Sequence, residues 1–354
     1  MRLFRYSILL ICLLSFSCCK RAISTFPVLD LSSSLDKPQI HSDEQLRSFK
    51  VMSLIPVDDA ILSDDNKVFY SDSETLGIYS FDTNTIHFLS RTNGKSITEI
   101  SHHGRGPGEW LHIYSISCDG RILYVSDEPN AGKLVMYSKD GTHLADKQLP
   151  KESIYYQMDA ETFALTFSNN HENAIEFYNS DSLIRSVRFN ASQSQKQSGM
   201  TIMNTLRYFN SEWTCRPALV DTIYKVTPYS EEVLLVIDKK DKGIPEDCLS
   251  SPEALGSAME NHIFTDDCRI VGDFAFIEFG YKQHLYREVW HLPSRSMVFK
   301  QVGGEGDDPA KIGLPLNYNG KDIYVWPQFT KGSTFYCVQN LETPMVIAEV
   351  CIEN

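Results

Sequence analysis

From residue 51 onward the chain is written in apolar runs of about four to seven residues, each bounded by clusters of Asp, Asn, Gly and Ser. That spacing predicts many short β-strands joined by turns. The clearest unit reads Val68-Phe69-Tyr70-Ser71-Asp72, then Gly77-Ile78-Tyr79-Ser80-Phe81-Asp82. A second, Ile122-Leu123-Tyr124-Val125-Ser126-Asp127 followed by 133–141, says nearly the same thing 55 residues later, measured from Asp72 to Asp127. Weaker copies lie at 163–167 with 174–178, 222–226 with 233–237, 274–279 with 288–292, and 323–326 with 334–338. Six hairpins over roughly 300 residues give a period near 50, the length of a four-stranded blade. A lone hairpin cannot bury its apolar surface, whereas sheets stacked radially cover one another on both faces. Strand 121–126 has the matching pattern, with Leu123 and Val125 apolar on one side and Ile122 and Tyr124 on the other. The expected fold class is therefore all-β, a six-bladed β-propeller of mostly four-stranded antiparallel blades over 49–354. Tandem β-sandwiches are the competing arrangement and would need a linker that the sequence does not offer. One helix is expected, Pro252–Met259, capped by Ser251 with Glu253 in its first turn, as an insertion between blades four and five.

The N-terminal stretch departs from this pattern. Arg2 and Arg5 flank the start of an apolar run, 6–16, too short to stop in a bilayer but suited to the core of a signal peptide. Ser17-Cys18-Cys19-Lys20 follows, and small residues beside a cysteine resemble a bacterial lipobox. Cys18 is the expected lipidated residue because Ser17 is small before it; Cys19 is the alternative, and Ser15 stands where leucine is usual. Residues 1–17 are thus read as a lipoprotein signal peptide. Residues 18–48, polar and broken by Ser32-Ser33-Ser34 and Pro38, are read as a membrane tether. More than one acyl chain on the mature cysteine makes such an anchor stable.

Composition narrows the partners. The formal net charge is −13; removing 1–17 takes away Arg2 and Arg5 and leaves 31 basic against 46 acidic residues, or −15. An acidic chain without a basic stripe is poorly suited to phosphate backbones, so no nucleic-acid partner is expected. Beyond the anchor pair, Cys118, Cys215, Cys248, Cys268, Cys337 and Cys351 are spaced neither as CxxC nor as a metal knuckle and are read as free thiols.

Gly104-Arg105-Gly106-Pro107-Gly108-Glu109 after blade one, Asp221-Thr222-Ile223-Tyr224-Lys225-Val226 in blade four and Trp326-Pro327-Gln328 near the end also resemble a known group. They are similar to the TolB-like six-bladed β-propeller lipoproteins of Bacteroidetes, over about residues 50–350. The resemblance implies the propeller and the lipid anchor. That family is largely uncharacterised in function, and no catalytic carboxylate or metal ligand carries over. The implied location is the cell envelope, lipid-anchored at the outer membrane; Lys20 and Arg21, in the place of an acidic surface-export signal, favour the periplasmic face.

The glycines of GRGPGE permit positive φ, and their amides beside Arg105 are able to form an anion nest. The hexapeptide lacks the Lys-Ser or Lys-Thr ending of a P-loop and the spacing of a dinucleotide turn, so a structural loop between blades is the plainer reading. Arg105, Glu109, Trp110 and Trp326 are the candidate ligand-binding residues, with Arg105 on a carboxylate or sugar oxygen and the two indoles stacking beside it. Other rings at strand ends, among them Tyr114, Tyr156, Trp213 and Phe329, are read mostly as core. His102, His103 and His112 do not make a zinc set, since neighbours in a strand point to opposite faces. Asp307-Asp308, Asp266-Asp267 and Asp58-Asp59 are read as solvated turns, and no metal or other cofactor is expected. No GxSxG elbow is present and catalytic residues stay unassigned. The expectation is a noncatalytic binding or scaffold module for a glycan, peptide or envelope protein. The alternative is a periplasmic lactone or glycan hydrolase with a loop-built, metal-dependent site.

Overall fold

The computed structural model describes residues 26–41, 46–57, 66–127, 132–150, 153–167, 173–180, 182–189, 205–209, 212–217, 220–304, 307, 311, 313–339 and 345–353. Cys18, Cys19, the expected signal peptide and Asp58-Asp59 lie outside them. Six antiparallel sheets form the ring of a β-propeller. Blade one is Asn66–Ser71, Thr75–Ser80, Thr85–Ser90 and Ser96–Ile100; blade two is Ser115–Cys118, Ile122–Ser126, Lys133–Ser138 and His143–Gln148. Blade three is Ser153–Gln157, Thr162–Phe167, Asn173–Asn179 and Ser182–Phe189; blade four is Thr205–Phe209, Glu212–Arg216, Thr222–Val226 and Glu231–Asp238. Blade five is Phe264–Val271, Phe274–Tyr281, His284–His291 and Ser296–Gly303. Blade six joins both ends of the chain: Phe329–Lys331, Thr334–Gln339 and Val346–Ile352 are completed by Phe49–Pro56, with Val346 opposite Pro56 and Ile352 opposite Phe49. This pairing closes the ring.

The apolar clusters sit between blades, as radial stacking requires. Ile86, Trp110 and Val135 pack between blades one and two, Phe177 and Trp213 between three and four. Val68 and Ile347 pack between one and six. A hairpin outside the six blades, Leu314–Tyr318 with Lys321–Val325, adds Leu314 and Ile323 to the largest cluster beside Phe276 and Phe335. The expected helix forms at Pro252–Met259 between blades four and five, where the Ser251 hydroxyl accepts from Ala254 N at 3.1 Å.

Six blades stand against six expected hairpins, but the repeat is out of phase, and the last expected pair, 323–326 with 334–338, does not form: Lys321–Val325 pairs with Leu314–Tyr318 outside the ring, and Thr334–Gln339 with Phe329–Lys331. The first hairpin, at 68–82, is the first and second strand of blade one; its apparent copy, at 122–141, is the second and third strand of blade two. The true counterpart of Asp72 is Asp119, 47 residues on, and then Asp159, a further 40. Each follows the first strand of its blade and caps the turn after it. Asp72 Oδ1 accepts from Glu74 N and Thr75 N at 2.8 and 2.7 Å, and Asp119 Oδ1 from Arg121 N and Ile122 N at 2.8 Å each. Asp159 Oδ1 takes Glu161 N and Thr162 N at 2.9 and 2.8 Å. A carboxylate that accepts from amides two and three residues ahead fixes the turn.

Residues 26–41 form a strap on the outside of the ring. The sequence pattern reads 18–48 as a tether, yet Val28–Asp30 adds parallel to Glu231–Asp238 of blade four and Ile40–His41 antiparallel to Ser296–Gly303 of blade five. Leu29 and Leu31, fully buried, are the apolar reason. Between the strands, Leu31–Ser34 makes one helical turn capped by Asp30, which accepts from Ser33 N at 2.9 Å. Two buried charges of blade five, cross-strand partners Glu288 and Lys300, hold that turn. Lys300 Nζ donates to the carbonyls of Ser34, Leu35 and Lys37 at 2.6, 3.1 and 2.6 Å. Glu288 accepts from Ser34 Oγ at 2.6 Å and Trp290 Nε1 at 2.8 Å. Burial pushes the Glu288 carboxyl up to about 7, against the downward pull of those hydrogen bonds and the Lys300 charge.

Candidate functional site

The GRGPGE loop is tied into the wall between blades one and two. Gly106 N donates to Glu109 Oε2 at 2.7 Å, and Lys133 Nζ reaches the carbonyls of Gly106 and Glu109 at 2.6 and 2.7 Å. Gly108 N donates to the Asp146 carboxylate at 3.1 Å, and the Tyr137 hydroxyl donates to Gly108 O. Glu109 therefore belongs to the turn. Arg105 is exposed. Gly108 has φ +72°, and an added Cβ would stand 3.1 Å from the His143 ring. Gly108→Ala is expected to lower stability by about 1–2 kcal/mol, read as a lower urea midpoint; an unchanged midpoint would mean that the loop relaxes without strain.

The two candidate indoles do not meet. Trp110 is fully buried between blades one and two, donating to Asn84 Oδ1 at 3.1 Å and standing edge-on to Tyr137 at 5.9 Å. Trp326 packs edge-on against Phe276 at 5.3 Å, beside blade five, with the Arg287 guanidinium 5.1 Å from its ring centroid. Arg105, Glu109, Trp110 and Trp326 thus fail to line one cavity. A large ring beside a flexible loop is as useful for sealing two sheets as for stacking on a ligand, and Trp110 seals. His102, His103 and His112 are exposed, and His102 stacks on Tyr137 at 5.9 Å. Asp307 caps its own turn, accepting from Gly304 N at 2.7 Å. Among the described residues no group of three His, Cys, Asp or Glu is placed to hold a metal, and the six cysteines are free.

The cavity lies on the axis. The first strands of all six blades, with the segments just before and after them, surround a space of about 830 Å³. Four rings named from the sequence line it, Tyr114, Tyr156, Trp213 and Phe329, and Tyr114 is 46% exposed. Phe81 stands there too, with the Lys67 ammonium 4.5 Å from its centroid. Burial pushes the Tyr156 hydroxyl up to about 12 and the Cys118 thiol up to about 11, so both line the channel uncharged.

One wall is charged. Arg207 lies on the first strand of blade four, Asp267 and Arg269 on the first strand of blade five. Arg207 Nη2 donates to Asp267 Oδ1 at 2.7 Å and Arg269 Nε to Asp267 Oδ2 at 2.7 Å, while Arg269 Nη1 donates to Gln328 O. Arg216, from the second strand of blade four, donates to Thr265 O at 2.8 Å and Asp266 O at 2.7 Å. The register slips between Thr265 and Asp267, a bulge of the kind that re-aims side chains. Burial alone would raise the Asp267 carboxyl, but the guanidiniums of Arg207 and Arg269 hold it well below the usual carboxylate range. Burial, followed by repulsion from Arg207, lowers Arg269 from its ordinary value. Gln328 extends the stitching into blade one, accepting from Val68 N at 3.3 Å and donating to Asn66 O at 3.1 Å.

A family model described as a domain of unknown function, DUF4934, matches residues 26–346, which takes in the strap and nearly the whole ring. The chain belongs to that family. Among solved structures it is similar to a protein inferred to be exported, from Bacteroides fragilis NCTC 9343, at 13% identity and a TM-score of 0.67, covering 93% of this chain and 100% of that one. It is also similar to a DUF4221-family member from Bacteroides vulgatus ATCC 8482, at 10% identity and a TM-score of 0.51, covering 86% and 99%. At such identities the likeness is one of fold, a six-bladed propeller shared with uncharacterised Bacteroidetes proteins. No curated protein matches the chain.

Asp267 corrects a sequence expectation. Asp266-Asp267 reads as a solvated turn, whereas it lies within a strand, and Asp267 stands between two guanidiniums. Arg207 and Arg269 are absent from the sequence candidates. The available signal was charge inside otherwise strand-like runs, Thr205-Leu206-Arg207-Tyr208-Phe209 and Thr265 to Val271. Buried charges need partners, and two such runs supply each other's.

Proposed function

We propose that the protein is a noncatalytic binding module, carried outside the cytoplasm on a lipid anchor at Cys18, whose ligand enters the central channel. The observation that carries this reading is the axial cavity of about 830 Å³, where rings and guanidiniums from several blades converge. Cavities of this size, mostly apolar with a few placed polar groups, suit small ligands or a short segment of a larger one. The TolB-like resemblance of GRGPGE and the lipobox-like Ser17-Cys18 support the anchor and an envelope location facing the periplasm. Glycans, peptides and envelope proteins are the ligand classes to screen.

The test is calorimetry with the purified full chain against such a panel, with product analysis alongside. Saturable binding with ligand recovered intact is the expected result; turnover of any member would replace this reading with the hydrolase. For the anchor, Cys18→Ala is expected to abolish acyl labelling and move the protein to the soluble fraction. Retained labelling in that variant, lost instead in Cys19→Ala, would shift the anchor by one residue.

A further inference from the structure

We propose that the channel takes a carboxylate-bearing small molecule, its acid group seated on Arg207 at the wall between blades four and five. This rests on the binding-module reading and names the ligand's chemistry. Three guanidiniums, Arg207, Arg216 and Arg269, surround one carboxylate, Asp267, whose two oxygens are taken by Arg207 and Arg269. Glu278, opposite Asp267 on the next strand, faces Arg269 but is itself paired with Arg287, so counting both leaves the surplus unchanged. An acidic chain, net −13, has thus gathered a local excess of two positive charges at its axis.

Arg207 carries the unfilled capacity. It lines the cavity with its side chain 32% exposed, and gives only Nη2 to Asp267. Its Nε is shielded from water without an acceptor among the described residues. Guanidinium donors are costly to leave unfilled away from water. The N–H groups that Asp267 does not take lie in the one guanidinium plane, a geometry suited to a planar carboxylate. Leu206 and Trp213, on the face of blade four toward blade three, and Tyr156 of blade three line the same cavity, which favours an acid with an organic body over an inorganic ion. The lining is also polarised. Asp119 and Asp159 are on the side of blades two and three, and Lys67 and Lys331 on blades one and six. A ligand acid is repelled from the first side, which leaves the arc from blade four round to blade one, where Arg207, Arg269, Lys331 and Lys67 line the cavity.

The experiment uses the full chain in detergent, with acetate, citrate and glucuronate as probes, and glucose, phosphate and chloride for comparison, all at matched ionic strength. Melting temperature and calorimetry are read on wild type, Arg207→Gln and Arg207→Lys. The expected result is stabilisation by the carboxylates beyond chloride, with affinity roughly tenfold to a hundredfold weaker in Arg207→Gln and little restored by lysine, which lacks the fork. Trp213→Phe, which keeps Arg207, is expected to lose a ligand-induced fluorescence change while retaining calorimetric binding, and it guards against a misfolded Arg207 variant. Equal melting in chloride and in all three carboxylates overturns the proposal. Binding of glucose as tight as glucuronate, unaffected by Arg207→Gln, overturns it too but leaves the binding module standing. Phosphate binding without carboxylate binding assigns the wall to another anion and likewise overturns it.

Discussion

Replacing Lys300 with methionine is expected to free the strap 26–41 from blades four and five while the ring stays closed. The ammonium gives its three protons to three carbonyls of the strap at a position only 2% exposed. Methionine fills similar space and donates nothing, so those acceptors and the Glu288 carboxyl lose their cation together. Removing one partner of a buried charged arrangement costs about 3–5 kcal/mol. Ring closure depends instead on Phe49–Pro56 paired with Val346–Ile352, which the substitution does not touch. Hydrogen exchange is therefore expected to accelerate across 28–41 and not across 49–56; unchanged protection at 28–30 would mean that Leu29 and Leu31 hold the strap alone. A pH dependence accompanies this. Glu288, up to about 7 when folded against an ordinary 4.5, binds its proton more tightly in the folded state. Its contribution is full below about 4.5 and is lost as pH rises through about 7. Glu288→Gln is expected to flatten that slope in melting temperature, since the Ser34 hydroxyl can direct its proton to Leu31 O, now 2.8 Å away, and accept from the new amide.

The blades were legible because burial on both faces leaves apolar residues at both strand parities, a pattern that survives in 122–126, where four of five residues are buried. Their phase was not. Successive strands of one blade meet the same environment on each face, so a first-and-second hairpin and a second-and-third hairpin read alike. The distinguishing mark is the turn aspartate after the first strand of blades one, two and three, and in the sequence Asp72 and Asp127 look equivalent although only Asp72 caps the turn after a first strand. Asp127 instead accepts from Leu111 N and His112 N at 2.9 and 3.0 Å, holding the loop that enters blade two.

The candidate site was half legible. Rings at strand ends do converge on a channel, but Tyr114, Tyr156 and Trp213 line it while Trp110 and Trp326 do not. The glycine-rich hexapeptide attracts attention because glycines are rare in strands, yet here they serve close approach to Glu109, whose carboxylate occupies the place of a Gly104 Cβ. The strap escaped notice for the opposite reason. Val28-Leu29-Asp30-Leu31 is too short to stand out in polar surroundings, and its buried partners, Glu288 and Lys300, lie more than 250 residues away in sequence.

Asp267→Asn is expected to be the most damaging single change at the channel wall, by about 3–5 kcal/mol. The amide keeps one oxygen for either Arg207 or Arg269 and presents N–H groups to the other, so three guanidiniums face one another without a carboxylate. Asp267 gives stability wherever it is ionised; its pairing lowers its pKa, so that contribution is present above the ordinary value of 3.8 and is lost only as pH falls well below it. The variant should therefore be as destabilised at pH 5 as at pH 7, unlike changes at Glu288. An added anion ought to replace part of what is missing. Citrate, at ionic strength matched with chloride, is expected to raise the melting temperature of Asp267→Asn by more than it raises that of wild type, since the surplus of positive charge has grown by one. Melting that matches wild type in chloride would mean that the guanidiniums are held apart by their carbonyl partners, Gln328, Thr265 and Asp266, and that the carboxylate is dispensable to the fold.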